Sequence, residues 1–252
     1  MLRAYGEGNI FGEAYGDGPV QVVWLHGWAH TRVDFASCGD LLAREGVSSV
    51  ALDLPGFGAS PSPPRAGGGK LYGELLAPAL SSLGEGPFIV VGHSFGGKIA
   101  AELAATYPHL VRALVLTGAP LVRVSATRRS PAPYRLMRTL HRRGLISEQR
   151  MEAARQKFGS HDYRLASGIL REILVLSVNE SYEEQLARIH APVDLVWGAD
   201  DRDVPVEVAR RVQELLIASA HVELEVVVDT GHLVPTERPA VLVAHVLRLA
   251  TS

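Results

Sequence analysis

The chain has one cysteine in 252 residues, Cys38, which excludes an intrachain disulfide and a cysteine-cluster metal site. It has no apolar run near the roughly 20 residues that span a bilayer. Its start, MLRAYGE, lacks the basic-then-apolar pattern of a secretory signal. A cytoplasmic protein with no membrane span is expected. The net charge is only −2, which gives no general reason to expect nucleic acid as a partner. There is no repeat of fixed period and no long low-complexity tract. The nearest approach is 61–69, with three prolines and three glycines, which reads as a loop.

The chain does have apolar material. At 47% hydrophobic and 21% charged it can build one sizeable core. Apolar runs at 20–25, 49–54, 88–91, 113–116, 193–197 and 222–228 punctuate it. All but the last lack period-two alternation, as expected for strands buried on both faces of a parallel sheet. Residues 2–5 and 10–15 alternate better and predict an antiparallel edge hairpin. Helical segments are expected at 95–107, which stops at Pro108, and at 206–218, after Pro205. A third is expected to run to about Leu249, capped by Thr236 with Pro239 in its first turn.

The alternation breaks between Leu121 and His190. Three or four helical segments are expected there, one of them capped by Ser147, running over 148–158 and ended by Gly159. A helical insertion between two parallel strands lies over their C-terminal ends, where such sheets bind ligands. Residues 121–190 are therefore expected to form a lid on a core made of 1–120 and 191–252. The insertion carries thirteen basic and seven acidic side chains, a balance of +6, which leaves −8 on the core.

The strongest local signal is Gly92-His93-Ser94-Phe95-Gly96, after one apolar run and before an alanine-rich helix. A G-x-S-x-G turn needs that strand–turn–helix setting, because the serine sits on a strained turn that bulky neighbours would block. The side chain of His93 is expected to diverge from that of Ser94. A serine nucleophile needs a base, and the base needs an orienting acid. The loop 198–205 offers Asp200, Asp201 and Asp203. Asp201 is the choice, with Asp200 and Asp203 as alternatives. Of ten histidines, His232 stands on a loop after the last expected strand, where an imidazole can reach back to the nucleophile. An oxyanion hole is expected from the backbone N–H groups of Trp28, after Gly27, and Phe95, after the nucleophile. His26 is expected to order the first of these turns.

Together these residues resemble the α/β-hydrolase family, in its lidded, single-domain, esterase-like branch. The resemblance spans essentially the whole chain and includes His26-Gly27-Trp28, the segment Asp53-Leu54-Pro55-Gly56-Phe57-Gly58-Ala59-Ser60, the elbow, Gly198…Asp201…Pro205 and Gly231-His232. It implies a mostly parallel eight-stranded sheet flanked by helices, a Ser94–Asp201–His232 triad, no cofactor and no metal. Serine at the elbow, where dehalogenases and epoxide hydrolases of the family carry aspartate, implies acyl transfer to water.

Substrate-binding candidates are Trp28, His30, Tyr134, Met137 and Phe158. No acidic residue interrupts the arginines between Arg123 and Arg143. The expected substrate is a small-molecule carboxylic ester with a small to medium acyl group; the alternative is an anionic or carrier-bound acyl group, as for a methyl esterase of the biotin pathway in this family, which would approach over the basic lid. Other readings are hydrolysis of a carbon–carbon bond or a lactone, a perhydrolase side activity, and a slow-turnover small-molecule receptor. Carbon–carbon hydrolases of the family often have Asn before and Met after the nucleophile; His93 and Phe95 favour the ester.

Overall fold

A computed structural model describes residues 2–123, 132–158 and 161–251. Its centre is an eight-stranded sheet. The hairpin β1 (Leu2–Tyr5) and β2 (Ile10–Tyr15) is antiparallel, with Leu2 opposite Glu13 and Tyr5 opposite Ile10. β2 also pairs antiparallel with β4 (Ser48–Asp53). All further pairings are parallel: β3 (Val20–Leu25), β5 (Phe88–His93), β6 (Val111–Thr117), β7 (Val193–Gly198) and β8 (Val222–Val227). The strand order is β1-β2-β4-β3-β5-β6-β7-β8.

The apolar runs became central strands because both of their faces are covered. Alternate residues of a strand point to opposite faces. Val23, Leu25, Val90, Leu114 and Trp197 enter one core. It packs on α2 (Gly69–Ser81), α3 (Phe95–Thr106) and a helix at Val206–Leu215. Val22, Trp24, Val91, Val115 and Val196 enter the other, against α1 (Ala36–Arg44) and a C-terminal helix at Pro239–Ala250. β8 closes the edge and is only partly covered, which explains its residual alternation.

Five helices stand between β6 and β7 among the described residues. They are α4 (Ala132–Arg142), α5 (Glu148–Phe158), α6 (His161–Leu165), α7 (Gly168–Ser177) and α8 (Glu183–Leu186). The expected three or four segments become five because α6 and α8 are single turns. The Ser147 cap is present: its Oγ accepts from the Arg150 N–H at 3.4 Å. Gly159 lies outside the described residues. α7 and α8 contribute Ile173 and Leu186 to the first core. α4 has no fully buried side chain.

Three helices follow, α9 (Val206–Leu215), α10 (Val234–Glu237) and α11 (Pro239–Ala250). Thr236 does not cap the last one. It lies inside α10, with its hydroxyl donating to the Leu233 carbonyl at 3.1 Å, and Arg238 is the residue before α11. Pro239 is the physical reason. A proline suits a first helical turn but cannot donate an interior hydrogen bond, so it breaks the segment in two. α9 ends at Leu215, three residues earlier than expected. No described helix is long and apolar enough to cross a membrane.

Candidate active site

Ser94 occupies the turn between β5 and α3 with φ 50° and ψ −111°, a region non-glycine residues rarely visit. The turn is over-determined by its surroundings, which is how such strain persists. The Ser94 N–H donates to the Thr117 carbonyl at 2.9 Å, and its carbonyl accepts from the Gly97 N–H at 3.1 Å. The flanking glycines are required by close approach. A methyl group at Gly96 would stand 2.1 Å from the Leu25 carbonyl oxygen. One at Gly92 would stand 2.6 Å from the Gly97 Cα. α3 can pass over β3 and β5 only with hydrogen at those positions.

Asp201 follows β7 and is buried. Its Oδ1 accepts from the N–H groups of Asp203 at 2.9 Å and Val204 at 2.8 Å. Its Oδ2 lies 2.8 Å from His232 Nδ1. The loop is braced below, where Trp197 Nε1–H donates to the Val204 carbonyl at 2.7 Å. Asp200 and Asp203 are both exposed. Of the three carboxylates, Asp201 is the one that meets the imidazole. Asp201, Asp203 and His232 could also be drawn as metal donors. Both oxygens of Asp201 are already engaged by the contacts above, which leaves that set little to offer a cation.

The His232 loop leaves β8 and is held by a residue the sequence reading did not single out. Glu237 accepts from the N–H groups of Gly231 at 2.7 Å and Leu233 at 3.2 Å, one on each side of His232. The signal was there in a carboxylate five residues after a loop histidine, but no pattern named it. The acid loop and the histidine loop are also joined, with the Asp200 N–H donating to the Thr230 carbonyl at 2.9 Å.

On the other side of Ser94 lies the turn after β3. His26 is fully buried, and burial holds its pKa down to about 4. Its Nδ1–H donates to the Gly27 carbonyl at 2.7 Å, and its bare Nε2 accepts from the Leu54 N–H at 2.9 Å. In a planar trans peptide the C=O and the next N–H point in opposite directions. The Trp28 N–H therefore faces away from His26. It has no hydrogen-bond partner among the described residues. Phe95 is the first residue of α3, and such an N–H has no partner within its own helix.

Trp28 is half-buried, its ring edge-on to Phe57 at 5.0 Å and to Phe95 at 5.3 Å. Phe95 is buried against Tyr72 at 4.9 Å. His30 is half-exposed. Its Nδ1 stands 2.6 Å from Asp34, an interaction that raises the pKa of His30, and its ring meets His93 at 6.3 Å. Tyr134 and Phe158 pack on each other at 6.1 Å, and Met137 is half-buried on the same helix as Tyr134. That ring contact lies within the segment between β6 and β7 and involves neither Ser94 nor His232. Arg128 and Arg129 lie outside the described residues.

The comparisons with known proteins agree with this architecture. A profile of the Alpha/beta hydrolase family matches residues 22–245. A pimeloyl-[acyl-carrier protein] methyl ester esterase of Chromobacterium violaceum is 31% identical, over 82% of this chain and 86% of its own. A 2-hydroxy-6-oxononadienedioate/2-hydroxy-6-oxononatrienedioate hydrolase of Burkholderia vietnamiensis is 29% identical, over 78% of this chain and 76% of its own. Among solved structures, the bromoperoxidase of Bacillus anthracis superposes with a TM-score of 0.75 at 18% identity, covering both chains fully. With its sheet order, its strand–serine–helix turn and a profile match over most of its length, this chain belongs to the alpha/beta hydrolase family.

Proposed function

We propose that the protein is a serine hydrolase that cleaves carboxylic esters of small to medium acyl groups through an acyl-Ser94 intermediate. The observation that carries this reading is the 2.8 Å hydrogen bond between His232 Nδ1 and Asp201 Oδ2, on loops that leave the same sheet whose β5 ends at a serine held at positive φ. Asp201 fixes the tautomer in which Nδ1 carries the proton, which leaves Nε2 of His232 as the base. His232 takes the Ser94 proton as Oγ attacks the ester carbonyl. The Trp28 and Phe95 N–H groups receive the oxyanion, each worth on the order of 10²–10³ in rate. His232 then returns the proton to the departing alcohol. In the second half, His232 activates a water that releases the acid and restores Ser94. No step calls for a metal or an organic cofactor.

In this reading the helices between β6 and β7 act as the lid, and Trp28, His30, Tyr134, Met137 and Phe158 line the approach. A carrier-bound or otherwise anionic acyl substrate is favoured by one specific feature. Arg135, Arg138 and Arg142 are exposed along α4, a helix with no acidic residue. The 31% identical methyl ester esterase supports the same substrate class. The 29% identical dienedioate hydrolase supports the alternative, carbon–carbon cleavage by the same triad, while His93 and Phe95 at the elbow favour the ester.

A panel of p-nitrophenyl esters from acetate to dodecanoate tests the reading. Fast turnover with a maximum at one chain length is expected. Single-turnover labelling without release would favour a receptor instead. Ionic strength separates the substrate classes. A falling kcat/KM for an anionic ester beside a flat one for a neutral ester supports steering by α4; two flat dependences remove it.

A further inference from the structure

His93 precedes the nucleophile, is almost fully buried, and has no role in the acyl-transfer scheme above. It ends β5, so its backbone is continuous with the strained turn that fixes Ser94. Its Nε2 lies 3.0 Å from the backbone carbonyl oxygen of His232, and its ring packs against the His232 ring at 4.9 Å and 53°. We propose that His93 is a positioning residue for the general base: its Nε2–H anchors the His232 carbonyl and its ring backs the His232 imidazole, setting where the base stands relative to Ser94. This inference rests on the triad reading of Ser94, Asp201 and His232.

The tautomer follows from the contact. A carbonyl can only accept, so Nε2 of His93 carries the proton, and a neutral ring then leaves Nδ1 bare. Nδ1 of His93 is buried with no partner among the described residues, as a neutral ring without a second donor requires. Burial, with the nearby His232, holds the pKa of His93 down to about 3. His232, His30 and Asp34 are the titratable groups that bear on it. Neutrality matters because His232 becomes an imidazolium during each half-reaction. A second positive ring packed against it would oppose that charge.

The other attachments of His232 show what His93 adds. Glu237 holds the N–H groups on either side, and Asp201 holds the side chain at Nδ1. Among the described residues, no second donor reaches the His232 carbonyl. The His93 bond therefore ties the base's loop directly to the strand that carries the nucleophile. Misplacement of a reacting group by about 1 Å can cost on the order of 10² in rate.

Two variants separate the two contacts. His93→Phe keeps an aromatic ring and loses the donor, whereas His93→Gln keeps an N–H donor and loses the ring. His93→Phe is expected to lower kcat for a p-nitrophenyl ester by about ten- to a hundredfold with KM nearly unchanged. His93→Gln is expected to recover most of that loss, which a purely structural role would not produce. Imidazole nitrogen NMR of the wild-type protein is expected to find His93 neutral with its proton on Nε2 between pH 5 and 8. A folded His93→Phe protein with wild-type kcat overturns the inference, and so does a wild-type His93 that is charged or protonated on Nδ1. If His93→Phe does not fold, the wild-type spectrum decides. A fluorophosphonate separates this inference from the reading beneath it. Wild-type protein that does not label at Ser94 removes the hydrolase reading itself. Wild-type and His93→Phe proteins that label at equal rates remove only the role of His93.

Discussion

His26 reaches across its own turn, its Nδ1 2.7 Å from the carbonyl oxygen of Gly27, and that bond sets the direction of the Trp28 N–H. Replacing His26 with Phe keeps the buried ring and removes both hydrogen bonds. The Gly27 carbonyl then keeps only the longer bond from the His30 N–H at 3.3 Å, which holds the Gly27–Trp28 peptide less firmly, and the Leu54 N–H loses its acceptor. The account predicts a fall in kcat of about ten- to a hundredfold, at or below the cost of deleting an oxyanion donor outright. Steady-state ester kinetics check this. An unchanged kcat in folded protein would show that the Trp28 N–H does not need His26.

Asp201→Asn keeps the size of the side chain and removes the charge. The amide can present N–H to His232 Nδ1, which favours the wrong tautomer of the base. In a triad of this kind the loss is on the order of 10⁴ in kcat. Asp200→Asn and Asp203→Asn, at exposed positions, are expected to stay within about twofold of wild type, the small effect usual for exposed sites. The three variants measured together discriminate among the loop's carboxylates. A loss of similar size at Asp203 with none at Asp201 would move the acid by two residues.

His245, on the last helix, is expected to act as a pH-dependent clamp. It is buried on α11, with Nδ1 2.6 Å from Asp194 on β7 and Nε2 2.7 Å from Glu225 on β8. Arg248 pairs with Asp194 and with Glu223 in the same cluster. Burial alone would lower the pKa of His245, but the hydrogen bonds and charges of Asp194 and Glu225 carry it above the usual value. The folded state therefore binds the proton more tightly than the unfolded chain, whose histidine titrates near 6.5. The stabilisation is complete below about pH 6.5 and is lost as pH rises through the folded pKa. Tm measured against pH should decline over that range in the wild type and not in His245→Gln. A wild-type Tm that rises there relative to the variant contradicts the clamp.

The sheet was legible in the sequence because burial on both faces leaves unbroken apolar runs, as at Val50–Leu52 and Ile89–Val91, and the elbow because its glycines are forced by contact with Leu25 and Gly97. Asp201 was legible from its distance to Gly198 and Pro205 on a loop after a strand. What stayed hidden depends on contacts between residues distant in the chain. The bond from His93 to His232 joins positions 139 apart, and nothing local announces it. The grip of Glu237 on the His232 loop depends on how the loop folds back, whereas the break of the last helix is the local effect of Pro239. Which residues between β6 and β7 would meet a substrate was the least legible. There the same apolar side chain can face a pocket or another helix, as Tyr134 faces Phe158.

Everything in the proposed mechanism depends on acylation of Ser94. Intact-protein and peptide mass spectrometry after a fluorophosphonate or a slowly released p-nitrophenyl ester tests it most directly. The account predicts one adduct, located on Ser94, lost in Ser94→Ala together with ester turnover while the protein keeps its melting behaviour. An adduct elsewhere, or full turnover by folded Ser94→Ala protein, would contradict it.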